Sequence, residues 1–379
     1  MSDVTATARL RDVEAEPTAH CAKRKAKART QARTAMLERP ILPTLTRLAL
    51  PTIGVMVAQA MVGIAETYYL GFLGTDALAG VALVFPIFML MTTMSNGGLG
   101  SGVASAVARA VGAGRQRDAD ALVFHSVVLA IIAGALFMIG VLWGGPALYR
   151  ALGGRDEALA AAVRYSTWLF AGAIAVWIVN LLAAALRGSG NVKVPALVTL
   201  IGAMVLIPSS PALIFGFGPI PRLGIAGAGI AFGLYYTGAM LVLLRYMRSG
   251  RSGLTLAVTR LERRLFADIL KVGLPTAINA LQTNLCVILV TGAVGLFGTA
   301  ALAGYGIASR LDYVMIPILF GLSSAVLTTV GVNIGAGDDF RVRYVGVRFQ
   351  MVLRDLPAPD DADADRRFDG SHSGPFICG

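Results

Sequence analysis

The chain has 379 residues, of which 56% are hydrophobic and 15% are charged, and its mean hydropathy is +0.69. This composition excludes an ordinary soluble protein and predicts an integral membrane protein built from several helices. The formal net charge is +11, but the basic residues lie mainly in the N-terminal tail and in short loops. That distribution is typical of a membrane orientation signal, so we expect no nucleic-acid partner.

The first 40 residues precede any apolar stretch. They carry a basic run at 23–27 and no apolar run before Ile41, so they do not form a secretory signal. We expect residues 1–40 to be a disordered basic cytoplasmic tail that touches the anionic surface of the lipid bilayer. The three cysteines, Cys21, Cys286 and Cys378, are too few and too scattered to predict a disulfide framework or a metal site.

Eight apolar stretches follow, each long enough for the roughly 20 residues that cross a hydrocarbon core. Backbone polar groups must be satisfied inside lipid, so each stretch is predicted to be helical. The predicted spans are 46–70, 78–106, 121–144, 162–186, 195–217, 224–247, 269–295 and 301–331.

Lysine and arginine residues in the loops and at the span ends predict the orientation. With the tail inside, the inner side holds twelve of these residues and the outer side holds four. This excess predicts a multi-pass protein of the plasma (inner) membrane with both termini cytoplasmic. Arg187 and Lys193 flank a turn on the inner side, and we expect both to anchor at lipid headgroups.

An internal repeat relates the two ends of this apolar region. Leu50–Gly80 returns as Leu274–Gly304 at a shift of 224, and both copies begin Leu-Pro-Thr and end Ala-Leu-Ala-Gly. Further on, Gly112-Ala-Gly114 pairs with Gly335-Ala-Gly337 at a shift of 223. A long repeat in apolar sequence is typical of a transporter made of two related lobes with its site between them.

Polar sequence separates and follows the two copies. Residues 249–268 are predicted to be a cytoplasmic connection between the lobes, and the segment Arg260–Ile269 has the spacing of an amphipathic helix on the inner surface. Composition changes again at about Asp338, and residues 338–379 are predicted to be an aberrant polar tail without a span.

Several short motifs occur in a fixed order between about Leu45 and Gly337. They are Pro51 in the first span, Gly71-Phe-Leu-Gly-Thr-Asp-Ala-Leu-Ala-Gly80, Ala113 between two glycines, Leu186-Arg-Gly-Ser-Gly190, Gly224-Ile-Ala-Gly-Ala228 and Val272-Gly-Leu-Pro275. Together they resemble the multidrug and toxic compound extrusion (MATE) transporters. The resemblance implies an all-α integral membrane protein with a two-lobe repeat fold.

In that fold the chain would supply one complete six-helix lobe over 41–248 and the first two helices of the second lobe over 269–337. The family has six helices in each lobe, so we hypothesise that the gene is truncated or frameshifted near residue 340. A chain of this length would then work as a homo-oligomer or be a membrane protein that does not transport.

The candidate coupling residue is Glu66, a carboxylate within the first predicted span. Such a residue costs about 3 kcal/mol or more at the bilayer centre and usually faces a cavity or an ion path. Gln59 and Thr52 lie seven and fourteen residues earlier, so all three share one helical face. The alternative is an interfacial Glu66 beside Tyr68 and Tyr69 in the aromatic belt. The resemblance favours coupling, because one branch of the family carries an aspartate at this position.

A second polar stripe lies in the seventh predicted span, where Asn279, Gln282 and Thr283 share a helical face. These residues either bond neighbouring helices or line the substrate cavity opposite the first span. His125 is interpreted as a histidine at a loop end and not as a proton relay. Two family features are missing, since Leu206 and Ser210 replace the polar pair before Pro211, and no glutamate follows the Gly-Leu-Pro of the seventh span.

The predicted function is export of drugs or organic, mostly cationic, compounds by alternating access. The chain has no Gly-Lys-Ser/Thr phosphate loop, so we expect no enzyme activity and no cofactor beyond a coupling proton or sodium ion. The alternatives are a flippase for lipid-linked sugars, which should show several cationic residues in the cavity, and a truncated membrane protein that does not transport.

Overall fold

The computed structural model describes residue 34 and residues 36–217, 221–249, 252–295 and 299–354, without side chains at 299–314 and at a few positions near the ends of the last helices. Most of the predicted N-terminal tail and residues 355–379 lie outside these ranges. The described residues form helices and connecting segments and no strand. The helices are α1 Ile41–Gly71, α2 Thr75–Thr92, a π-helix Thr93–Leu99, α3 Gly100–Gly112, α4 Gln116–Ala151, α5 Asp156–Ala171, α6 Ala173–Gly188, α7 Lys193–Phe215, α8 Ile225–Arg248, α9 Arg263–Gly295, α10 Thr299–Ala336 and α11 Asp339–Arg354.

Within the described residues, six helical stretches are long and apolar enough to cross a membrane, judged by length and composition. They are α1, the continuous run from α2 through the π-helix to α3, α4, α7, α8 and Met315–Ala336 of α10. The helices α5 and α6 meet at a bend of 48° and make a seventh span if they are counted as one. The predicted span at 269–295 lies in α9.

The centre of the first lobe is α6. Every residue of this helix except Ile174 is buried, including Trp177 and Arg187. It packs against α3, α4, α8 and the π-helix. Burial on all sides requires a helix that is apolar or small around its whole circumference, which the alanine- and leucine-rich sequence of α6 provides. The polar side chains of α6 are therefore buried inside the lobe.

The second repeat packs along the first lobe. The helix α9 lies against the π-helix and α3, and α10 crosses α1 and α3. The prediction of an amphipathic helix on the membrane surface at Arg260–Ile269 is wrong. Leu261 is exposed in the segment before α9, while Leu265 and Ile269 belong to the first buried turns of α9 and pack in the core of the first lobe. The apolar spacing at Leu265 and Ile269 therefore belongs to the buried face of α9.

The polar tail predicted from residue 338 begins with a helix. The helix α11 packs on α10 and buries Val345, while Phe340 is exposed. It carries four arginines in 16 residues and does not meet the criteria for a membrane span.

Candidate functional site

A narrow pocket of about 30 Å³ lies inside the first lobe, between α1, the π-helix, α6, α7 and α8. Its lining residues are Thr52, Val55, Met56, Gln59, Asn96, Val179, Asn180, Ala183, Arg187, Val192, Pro195, Ala196, Thr199, Tyr235 and Tyr236. A volume of this size holds about two water molecules, and the wall combines apolar side chains with a few polar groups.

Two predicted site residues line this pocket. Thr52 is buried, and its hydroxyl donates to the Leu48 carbonyl at 3.2 Å, so it presents mainly its methyl group. Gln59 lies two turns further along α1 and is partly buried. The structure therefore places one face of α1 against the pocket, as the spacing of these residues predicts.

Glu66 continues the same face about 10 Å beyond Gln59, at a rise of about 1.5 Å per residue. Its Oε1 atom is buried and has no hydrogen-bond partner in the described part of the chain. The carboxylate lies close enough to Tyr165 of α5 and Tyr236 of α8 to interact with them electrostatically. Tyr236 also lines the pocket, so this one side chain belongs both to the surroundings of Glu66 and to the pocket wall.

The polar stripe on α9 lies elsewhere. Asn279, Gln282 and Thr283 are exposed, and the Thr283 hydroxyl donates to the Asn279 carbonyl of its own helix at 2.9 Å. None of the three lines the pocket, because α9 packs against the π-helix and α3 and not against the face of α1 that holds Glu66. The neighbouring Asn284 donates to the Thr93 hydroxyl at 3.4 Å.

Arg187 is the main polar residue of the pocket that the sequence did not predict. It was expected at the lipid headgroups, and this is wrong, because its side chain is only 9% exposed and donates to Asn96 Oδ1 at 2.7 Å. Lys193 of the same turn is exposed. The physical reason is that α6 is buried throughout its length, so its last turn does not reach the surface.

A signal for this cluster exists in the sequence. Asn180 and Arg187 are seven residues apart and therefore share a face of α6. Asn180 donates to the Ser95 hydroxyl at 2.8 Å, while Arg187 donates to the next residue along the π-helix, Asn96. What the sequence does not reveal is the π-helix, which widens the turn and places both side chains toward α6.

The linker between the lobes is held by the N-terminal turns of α4. His125, interpreted as a loop-end residue, is fully buried, and its Nε2 accepts from the Glu262 backbone N–H at 2.9 Å. The hydrogen bond to Asp118, with the charge of that carboxylate, raises the pKa of Arg264. Asp120 accepts from the Thr255 backbone N–H at 2.8 Å. These contacts tie the linker to the first lobe at its predicted cytoplasmic end.

The predicted absence of a metal site concerns the histidine, cysteine and acidic residues. Over the described ranges, no group of three or more of these side chains is arranged to hold a metal ion.

Comparison with known proteins places these features in a family. The MatE family model matches residues 51–212 and 275–353, so the match continues past the change in composition at Asp338. The FAD transporter of Shewanella oneidensis is 26% identical over 334 residues, which cover 86% of this chain and 73% of that protein.

Two further relatives carry multidrug names. The probable multidrug resistance protein YoeA of Bacillus subtilis is 28% identical, covering 80% of this chain and 65% of its own length. The probable multidrug resistance protein NorM of Thermotoga maritima is 29% identical, and the match covers 78% of this chain and 63% of that protein. The chain therefore spans about two thirds of the length of the curated relatives it matches.

Solved transporter structures share the fold. A MATE in the bent conformation aligns with a TM-score of 0.79 at 26% identity, covering 84% of this chain and 71% of that one. A transporter of the MOP superfamily from Pyrococcus furiosus, whose structure is described as having a binding pocket of reverse polarity, aligns with a TM-score of 0.78 at 25% identity, covering 84% and 70%.

Proposed function

Because the chain belongs to the MatE family of transporters, we propose that it exports small organic compounds in exchange for protons or sodium ions. Family membership and the all-α membrane fold are confirmed as predicted, and members of this family are transporters and not enzymes. The multidrug names of the Bacillus and Thermotoga relatives support drug-like substrates.

The observation that carries the proposal is the position of Glu66. A buried carboxylate oxygen without a hydrogen-bond partner is costly, and such groups in membrane helices usually bind an ion or a proton. Tyr236 lines the pocket and interacts electrostatically with Glu66, so a cation bound at Glu66 would change the electrostatic surroundings of a substrate in the pocket. Coupling of this kind requires only that both ligands favour different states of the same helices.

Alternating access would arise from movement of the second repeat relative to the first lobe in the plasma (inner) membrane. The helix α10 packs across α1 and α3, so its displacement would change access to the pocket from the cytoplasmic side. A functional unit would contain either the remaining helices of the relatives or a second copy of this chain.

The flippase alternative receives less support. Holding a pyrophosphate calls for several cations, and within the described residues the pocket is lined by one, Arg187. Transport of an anionic compound has its own support, since Arg187 is buried in the pocket and one relative is named an FAD transporter.

The test is substrate uptake into everted membrane vesicles under an imposed proton or sodium gradient. Wild-type vesicles should accumulate a fluorescent drug, Glu66→Gln should lose most of this uptake, and Glu66→Asp should retain part of it. Asp76→Asn is the matched control, since Asp76 is an exposed carboxylate at the start of α2. Uptake by Glu66→Gln at the wild-type rate would remove Glu66 from the mechanism. No uptake by wild-type vesicles would show that this chain does not transport alone.

A further inference from the structure

Arg187 is the single charged residue lining the pocket among the described residues. The other polar side chains of the wall are neutral amides and hydroxyls, such as Asn96, Asn180 and Tyr235. No carboxylate in the described part of the chain lies within ion-pair distance of the Arg187 guanidinium. The pocket therefore has a net positive charge in surroundings of low polarity, where a charge acts more strongly than in water.

One hydrogen bond holds the guanidinium within the described residues. It carries five N–H donors and donates to Asn96 Oδ1 at 2.7 Å. Its side chain is only 9% exposed, but none of its nitrogens is among the buried polar atoms that lack a partner in the described part of the chain, so the other donors can reach water or a ligand. Burying a cation without a partner costs several kcal/mol, which the fold tolerates best where a ligand supplies the missing charge. Planar bidentate recognition of phosphate and carboxylate is what arginine does better than lysine.

Aromatic rings surround Arg187 and the pocket. Phe320 of α10 lies 5.9 Å from the guanidinium carbon, and the Thr328 hydroxyl of the same helix donates to the Arg187 carbonyl at 3.2 Å. The rings of Tyr235 and Tyr236, which line the pocket, lie 4.6 Å apart.

We propose that Arg187 forms an anion subsite, which takes the phosphate or carboxylate group of a small organic compound. This inference rests on the proposed transport function and narrows its substrate class. It replaces the expectation of mainly cationic substrates, because the positive charge of Arg187, which no carboxylate of the described residues neutralises, would repel a compound with only positive charge. Compounds carrying both signs of charge remain compatible, with their cationic part directed away from Arg187.

A pair of fluorescent probes tests the subsite. Riboflavin 5′-phosphate and riboflavin share one ring system and differ only in the phosphate, so their affinities for the purified full chain in detergent isolate the anionic contact. We expect the phosphate form to bind about tenfold more tightly, the range of a charge-assisted contact. Arg187→Gln should remove this preference, while Arg187→Lys should keep part of it.

A second variant protects the test against misfolding. Asn96→Asp keeps an acceptor at the 2.7 Å contact and places a carboxylate against the guanidinium, so it should abolish the phosphate preference in a folded protein. The matched control is Arg150→Gln, an exposed arginine at the end of α4 that does not line the pocket. Its preference should equal that of the wild type.

Three outcomes would overturn the subsite. In the first, the wild type does not bind riboflavin 5′-phosphate, and in the second it binds both flavins with equal affinity. The third outcome is that Asn96→Asp lowers the affinities for both flavins by the same factor. Repeating the measurement in nanodiscs of phosphatidylcholine, with and without phosphatidylglycerol, distinguishes a soluble anion from a lipid headgroup. Displacement of the flavin phosphate by the anionic lipid would overturn the assignment to a soluble compound. Since binding needs no gradient, a wild type that shows the preference but does not transport would contradict only the proposed function.

Discussion

Gly112 and Gly335 occupy the same position in the two repeats, and each lies against the backbone of the other's helix. A Cβ atom added to Gly112 would lie 2.0 Å from the Val332 carbonyl oxygen, and one added to Gly335 would lie 2.1 Å from the Arg109 carbonyl oxygen. Val332 and Arg109 are themselves related by the repeat shift of 223. The ends of α3 and α10 therefore cross with approximate two-fold symmetry, and only glycine permits this approach.

We expect Gly112→Ala and Gly335→Ala to weaken the contact between the first lobe and the second repeat. Either methyl group would force the two backbones apart, and overpacking of this kind typically costs about 1–3 kcal/mol. Thermal unfolding of the purified chain in detergent measures the loss as a lower midpoint. Gly140→Ala is the control, since a Cβ at Gly140 in α4 would have no atom within 4 Å. Equal midpoints for all three variants would contradict a close crossing.

The orientation inferred from the basic residues is tested by cysteine labelling. In a chain whose native cysteines have been replaced, Ala151→Cys lies at the exposed end of α4 and Ser249→Cys follows α8 on the opposite side. We expect a membrane-impermeant maleimide to label Ala151→Cys in intact cells and Ser249→Cys only after permeabilisation. The reverse pattern would place the termini outside.

The linker contact of His125 predicts a structural effect of its removal. Because the Glu262 N–H donates to Nε2, the proton of the neutral ring must be on Nδ1, which lies 2.7 Å from the Ala121 carbonyl oxygen and donates to it. His125→Phe keeps an aromatic ring at this position but leaves the Glu262 N–H without an acceptor. The loss typically lowers the free energy of unfolding by about 1–3 kcal/mol.

The comparison for this variant is Arg264→Gln, which removes an ion pair to Asp118 whose arginine is exposed to solvent. We expect a smaller change in the unfolding midpoint for this control, because water and salt screen exposed ion pairs. Faster proteolysis of the linker in His125→Phe than in the control would support the anchoring role. Identical cleavage rates in the two variants would argue that the linker is held by its other contacts.

Much of the architecture follows from local pattern. The apolar stretches of the first lobe appear as helices close to their predicted positions, and the repeat of Gly112–Gly114 in Gly335–Gly337 marks two helix ends with the same conformation. Gly114 has a φ of 69° and Gly337 a φ of 76°, values that favour glycine. The alignment of Thr52, Gln59 and Glu66 on one face of α1 also follows from helical spacing, since 3.6 residues per turn is a local property.

The tertiary structure decided which of these faces meet. Periodicity assigned Asn279, Gln282 and Thr283 to one face of α9 but could not show that the α1 pocket lies elsewhere. Charge patterning placed Arg187 at a surface, whereas burial of α6 by the helices packed around it holds Arg187 inside the lobe beside Asn96. Helix formation depends on residues a few positions apart, so sequence determines it directly. Burial and pairing depend on helices distant in the chain, and their outcome is settled only when the helices pack together.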